Sequence, residues 1–257
     1  MSQKLISIDL KANFAFFKKP DYNDGLLLSY NMLHKPALLG VLGAIIGLQG
    51  YQKKGELPAY YTRLKSLLIN IEPIGSEKGN FQKVSVKYTN TVGYANQDGT
   101  LLIEETMLLK PCYRCYLLLD EEQPEHFKLY EYLKEGKAEF IPYLGKNEYQ
   151  AWWLDEFTGE NSFREYPVEE VNPTENFKLK GMFTGEKITP VLENSLDELE
   201  YITPYFYFER LPVDFIEKPF IQYNLGDFKH TNAQLSSTYT IGGRLFKIKH
   251  DHYIQLY

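Results

Sequence analysis

Clusters of basic and histidine side chains mark where this chain could do chemistry. Lys18-Lys19 and His34-Lys35 flank a polar connection at 18–35, and Gly242-Gly243-Arg244 is followed by Lys247 and Lys249. Paired glycines let backbone N–H groups approach an anion, and the cations after them suit a phosphate chain. The same residues also fit an ordinary hairpin turn with solvated lysines. Cys112-Tyr-Arg-Cys115 has the spacing of a zinc or redox pair. The segment around it reads as extended, where positions i and i+3 point to opposite faces, so two buried thiols are the favoured reading. His250-Asp-His252 offers two imidazoles on one strand face, but their neighbours Phe246, Ile248, Ile254 and Leu256 are apolar, which favours structural histidines over a metal pair. Hydrolase, zinc-protease, dinucleotide, Walker and EF-hand motifs do not occur in the sequence.

The elements that must hold these residues follow from hydrophobic periodicity. Residues 5–17 alternate, with Ile6, Ile8, Leu10, Ala12, Phe14 and Phe16 on one face, which predicts a half-buried first strand. Pro36 opens a helix to about Leu48 with Gly50 as its stop. Gly40, Gly43 and Gly47 lie on one side of it and call for close approach, either to a sheet or to a phosphate at the helix start. A second helix is expected over 58–69. A long hairpin follows over 81–109 with its turn at Asn96-Gln-Asp-Gly99, then a strand at 113–119, a helix at 124–135 and a strand at 139–141. Beyond Trp153 short strands are expected at 205–210 and 220–225, with a closing hairpin at 239–257 around Gly242-Gly243. The order predicts an α+β fold compatible with a ferredoxin-like sandwich carrying an inserted hairpin, residues 1–150, followed by a β-rich C-terminal lobe, residues 151–257.

The chain has 257 residues, 44% of them hydrophobic and 15% aromatic, with 21 Tyr and 16 Phe. That composition belongs to a folded, strand-rich protein with rings to bury or to stack. A net charge of −6 opposes general adhesion to nucleic acid or acidic membranes but leaves room for one local basic groove. Two cysteines and no leader-like apolar segment predict a cytoplasmic protein without disulfides, and the longest apolar run, 36–51, is too short to span a bilayer.

Three segments together resemble one family: Ala12-Asn-Phe-Ala-Phe-Phe-Lys-Lys19, the run from Ser29-Tyr-Asn-Met-Leu-His-Lys-Pro to Gly47, and Tyr143-Leu-Gly-Lys-Asn-Glu-Tyr-Gln-Ala151. They are similar to the CRISPR-associated "Cas five" family of the RAMP superfamily, a subunit of the Cascade surveillance complex in antiviral defence. Phe208-Glu-Arg-Leu-Pro-Val213 and the tail resemble its type I-B branch. The resemblance implies a ferredoxin-like (RRM-like) RAMP domain whose hairpin at 81–109 acts as a thumb, with a β-rich C-terminal extension. It further implies an RNA-binding subunit that caps the 5′ handle of the CRISPR RNA, touches the large and backbone subunits, and meets target DNA through the complex. Neither metal nor cofactor is implied, and no membrane.

On this reading the RNA-binding residues are Lys18, Lys19, Tyr30, His34, Lys35, Lys146, Asn147, Gly242, Gly243, Arg244, Lys247 and Lys249. A related branch is a metal-independent endoribonuclease using Tyr, Lys and His. Tyr30, His34 and Lys35 share one loop here, but Lys110-Pro-Cys-Tyr-Arg114 after the thumb lacks an adjoining Lys-His pair. The expectation is therefore a non-catalytic subunit, with the processing endoribonuclease as the alternative.

Overall fold

In the computed structural model, which describes residues 2–21, 25–89, 102–155, 157–185, 203–237 and 241–257, the N-terminal alternation becomes β1 (Gln3–Ala12), broken at Asn13 into the short β2 (Phe14–Ala15) and β3 (Phe17–Lys18). After β4 (Leu26–Leu27) and β5 (Ser29–Tyr30) comes α1 (Lys35–Ile46), then α2 (Ala59–Leu64). Next are β6 (Leu68–Pro73), β7 (Lys83–Thr89), β8 (Leu102–Leu109), β9 (Cys112–Asp120) and α3 (Pro124–Glu135). The remaining strands are β10 (Ala151–Trp152), β11 (Arg164–Tyr166), β12 (Lys178–Lys180), β13 (Phe206–Ile216), β14 (Gln222–Thr231), β15 (Arg244–Lys247) and β16 (His252–Leu256).

The central sheet runs β10-β1-β9-β6, every neighbour antiparallel, with β11 extending the β10 edge of β1. β10 and β11 both lie beyond residue 150, where the domain boundary was expected, so the later chain completes the earlier sheet. Ile6, Ile8 and Leu10 of β1, with Cys115, Leu117 and Leu119 of β9, face α1 and α3 in the main core. Leu5, Tyr116 and Leu118 face the other way, onto Phe246, Ile254 and Leu256 of the β12-β16-β15 sheet. The first strand is thus buried on both faces and not half-buried as its alternation predicts, because the C-terminal strands cover the polar-patterned side. Asp9 survives there by accepting a bidentate pair of hydrogen bonds from Arg114 and another from Arg164.

Four further predicted elements differ. The second helix stops at Leu64, since Ile69 and Ile71 bury as alternating residues of β6 against β9. Residues 139–141 form no strand: the Glu139 and Phe140 N–H groups donate to Ile45 and Ala44 carbonyls at the end of α1. The closing hairpin turns at 248–251 and not at Gly242-Gly243, which precede β15. Helix α1 ends at Gly47, ahead of the expected Gly50. Within the hairpin expected over 81–109, β7 pairs β8 from Lys83–Leu108 to Thr89–Leu102. Its expected turn at 96–99 lies outside the described residues, as does residue 239.

Gly43 meets another helix and not a sheet: a Cβ on it would lie 2.3 Å from Cβ of Tyr60, in the first turn of α2. Gly43→Ala is expected to destabilise the chain by about 1–3 kcal/mol even after the better helix propensity of Ala. Gly50→Ala, with nothing within 4 Å, is expected to stay within about 0.5 kcal/mol of wild type. Urea unfolding of the two variants checks this, and equal midpoints would show that the α1–α2 contact gives way.

Candidate nucleic-acid interface

A groove runs across the start of α1, formed by two adjoining cavities of about 410 and 490 Å³. They share Phe17, Pro36, Ala37, Tyr51, Tyr60 and Gly145. One end is apolar, with the exposed Phe140, Ile141 and Tyr143. The other holds Lys18, Lys146, His34 and Glu105, walled by Phe215 and Tyr223 of the β13–β14 ribbon. Gly145 is what brings the 143–146 loop this close. Its φ is +91°, and a Cβ there would sit 1.8 Å from the Phe16 carbonyl oxygen, so only glycine fits. The Phe16 N–H donates to Leu144 O at 3.1 Å, pinning the loop to the strand.

His34 occupies the turn before α1. Its Nδ1 accepts from the Ala37 N–H at 3.3 Å, so the side chain caps the helix. That donor is therefore spent, and the helix start does not offer it to a phosphate. The imidazole packs edge-on against Phe17, Tyr30 and Tyr223, with centroids 5.4–5.9 Å away. Burial pushes its pKa down to about 3, so at neutral pH it carries no charge. With Nδ1 accepting, the ring proton sits on Nε2.

The cations are less free than their count suggests. Lys18 is exposed on the groove rim, and no ion-pair partner for it is found among the described residues. Lys19 lies 3.9 Å from Glu209 and 5.2 Å above the Tyr30 ring. Lys146 donates to the buried Glu105 and sits over the rings of Phe16, Tyr88 and Tyr149 at 5.3–5.9 Å. Asn147 is exposed beside it. Lys35 turns inward: its ammonium donates to the Tyr257 carbonyl at 3.0 Å, and burial lowers its pKa to about 8. Tyr30 is buried, which together with nearby Asp21 pushes its pKa up to about 12.

The Gly242-Gly243-Arg244 group does not join this groove. Arg244 is held by Glu170 through two hydrogen bonds of 3.0 and 2.7 Å, and Lys247 lies 3.9 Å from Glu169. The Gly242 carbonyl accepts from Gln255, and Gly243 packs against the same side chain. Lys247 lines a separate polar cavity of about 230 Å³ with His250 and Asp251, and Lys249 is exposed in the adjoining turn. His250 lies in that turn and His252 in β16. Cys115 is buried and Cys112 half-buried, both as free thiols whose pKa burial raises. Among the described residues no three His, Cys, Asp or Glu side chains cluster as metal ligands. No helix among them is long and apolar enough to cross a membrane.

Sequence reasoning missed the groove's aromatic lining, its Glu105 carboxylate and the Glu209 carboxylate of β13 beside the Asn31–Met32 backbone. The rings of Tyr51, Tyr60, Phe140, Phe215 and Tyr223, with the apolar Ile141, come from the distant stretches 51–60, 140–141 and 215–223. Glu209 accepts from the Asn31 and Met32 N–H groups at 2.9 and 3.0 Å, and from the Tyr207 hydroxyl at 2.7 Å. The high Tyr and Phe content was the only signal, and it carries no position.

No protein-family model matches the sequence, and no curated protein does. Solved structures are similar at low level. A chain of a CRISPR RNA-guided surveillance complex is 11% identical with a TM-score of 0.47, each chain covered over 91%. A CRISPR protein from Archaeoglobus fulgidus is 12% identical with a TM-score of 0.48, each covered over 95%. A functionally uncharacterized protein from Streptococcus mutans is 9% identical with a TM-score of 0.40, covering 91% of this chain and 93% of that one. At these values no residue's role transfers.

The His34 environment predicts a pH dependence. The unfolded chain binds a proton near the ordinary pKa of 6.5, whereas the folded chain refuses it until about 3. Stability contributed by this group is full above 6.5 and falls as pH drops through that window, by up to about 1.4 kcal/mol per pH unit. His34→Asn keeps a cap acceptor without the titration. Urea unfolding at pH 6.5 and 4.5 should show a larger loss in wild type than in the variant; parallel losses would mean that folded His34 protonates freely.

Proposed function

We propose that this chain is a non-catalytic RNA-binding subunit of a CRISPR surveillance complex, holding the 5′ handle of the CRISPR RNA in the groove over α1. One observation carries the reading. The three sequence segments that resemble the "Cas five" family, far apart in the chain, converge on this groove through Phe17 and Lys18, His34 to Gly40, and Tyr143 to Lys146. Rings and a few cations along one groove are what single-stranded RNA requires, bases stacking while cations track the backbone.

The strand order β10-β1-β9-β6, with α1 following β1 and α3 following β9, supports the ferredoxin-like reading of the domain. The β7–β8 pair supports the thumb: all seven residues of β7 are exposed, as expected of an arm that meets other subunits. The type I-B assignment rests on the sequence resemblance alone, as do the large-subunit and backbone-subunit contacts.

The geometry favours binding over cleavage. Metal-independent RNA cleavage needs a base and an acid on opposite sides of the scissile phosphate. His34 has its Nδ1 committed to the helix cap, Tyr30 is buried with its proton held tightly, and Lys35 points to Tyr257.

Filter binding of a synthetic RNA carrying the host's repeat-derived 5′ handle tests the proposal. With no ion-pair partner for Lys18 among the described residues and Lys146 shared with Glu105, the slope of log affinity against log salt should be shallow, about −1 to −2. Lys18→Ala should reduce it by about 0.7, and Lys35→Ala should leave it unchanged. No binding, or a discrete cut of the repeat RNA in EDTA that His34→Ala abolishes, would overturn the reading.

A further inference from the structure

The β13–β14 ribbon has an outer face that the groove does not use. Tyr207, Glu209 and Leu211 of β13 point inward, to the core and to the Asn31–Met32 backbone. Phe206, Phe208 and Arg210 alternate with them and point outward. The two phenylalanine rings stack, centroids 6.2 Å apart and 19° from parallel, and Phe208 is 64% exposed. Directly opposite Phe208 on β14 is Lys229, and opposite Arg210 is Asp227. Arg210 and Asp227 are 3.8 Å apart with both side chains mostly in water, at 69% and 88% exposure, so the guanidinium is only loosely held. The Lys229 ammonium donates to the Gly185 carbonyl.

From this arrangement we infer that the outer face of the ribbon is a second RNA contact, a ladder of Phe206, Phe208 and Arg210 on which unpaired bases stack. Same-face residues two apart on a strand are about 6.6–6.8 Å from each other, roughly twice the 3.4 Å spacing of stacked bases. A planar base fits between the Phe208 ring and the Arg210 guanidinium plane, both of which are standard stacking partners for RNA. Among the described residues Arg210 and Lys229 stand against Asp227 on this face, which suits a polyanion in a chain whose net charge is −6. The same ribbon supplies Phe215 and Tyr223 to the groove wall, so a strand leaving the groove along the ribbon meets the ladder. The inference rests on the RNA-binding reading above and extends it to a site that the sequence analysis did not assign.

The test uses the full chain and the handle RNA with its following nucleotides, binding measured across a salt series. Phe208→Ala should weaken binding by between about fivefold and a hundredfold, the worth of one base–aromatic stack, with the salt slope unchanged. Phe208→Trp should restore it. A single abasic nucleotide at one position should reproduce the loss, and on that RNA Phe208→Ala should lose nothing more. Because Phe208 is exposed, circular dichroism should match wild type throughout. If wild type binds the RNA and Phe208→Ala binds it equally tightly, the ladder is not an RNA contact while the groove reading stands. Retained RNA affinity with lost association to neighbouring subunits would make this face a protein surface and overturn the inference. If wild type binds no RNA, the underlying reading falls with it.

Discussion

Asn31 is where the molecule is tied together. Its backbone N–H, with that of Met32, donates to the Glu209 carboxylate of the ribbon, and its carbonyl accepts from the Tyr113 hydroxyl of the central sheet at 2.6 Å. Its side chain donates to Gly79 O and accepts from the Phe81 N–H, just before β7. Three parts of the chain, the ribbon, the central sheet and the 79–81 segment, therefore meet at one short loop, and that loop leads into His34 and α1. Each buried donor or acceptor left without its partner costs about 1–3 kcal/mol. The orientation of α1, the cap that starts it and the ribbon wall beside it are consequently set together.

The proposed RNA-binding reading has to place its ligand on an acidic protein, whose net charge is −6. Lys19, Lys146, Arg244 and Lys247 are each near a carboxylate, so most of the basic side chains picked out by their position are engaged within the protein. Among the described residues the groove is left with stacking area, Lys18 without an ion-pair partner, and a neutral imidazole. On the proposed reading, such a site would hold RNA through ring faces and shape more than through counterion release. Its affinity is then less sensitive to salt than that of a protein that tracks many phosphates.

Local periodicity made much of the fold legible. The β1 alternation, the α3 boundaries with Gly136 as cap, the β7–β8 pair and the β9 strand follow from patterns within a few residues. β6 was hidden because Leu64, Leu67 and Leu68 continue a helical spacing into it, and only pairing with β9 decides the outcome. The burial of the second face of β1 was hidden for the same reason: its cover comes from residues some 240 positions later. Within the site, Lys18, His34 and Lys146 were legible as residues and came together in space. Lys35 was misplaced because the residue after a helix cap can point to either side. The Gly242-Gly243-Arg244 group was misplaced because Glu170, far from it in sequence, neutralises the arginine.

The central claim, that RNA lies in the groove over α1, is tested most directly by photo-crosslinking. Handle RNA carrying 4-thiouridine would be irradiated with the full chain and the adducts mapped by mass spectrometry. The account predicts adducts on Tyr51, Tyr60, Phe140, Tyr143 or Tyr223, the groove's rings. Adducts confined to the 242–253 region of the C-terminal sheet, with none on those rings, would contradict it.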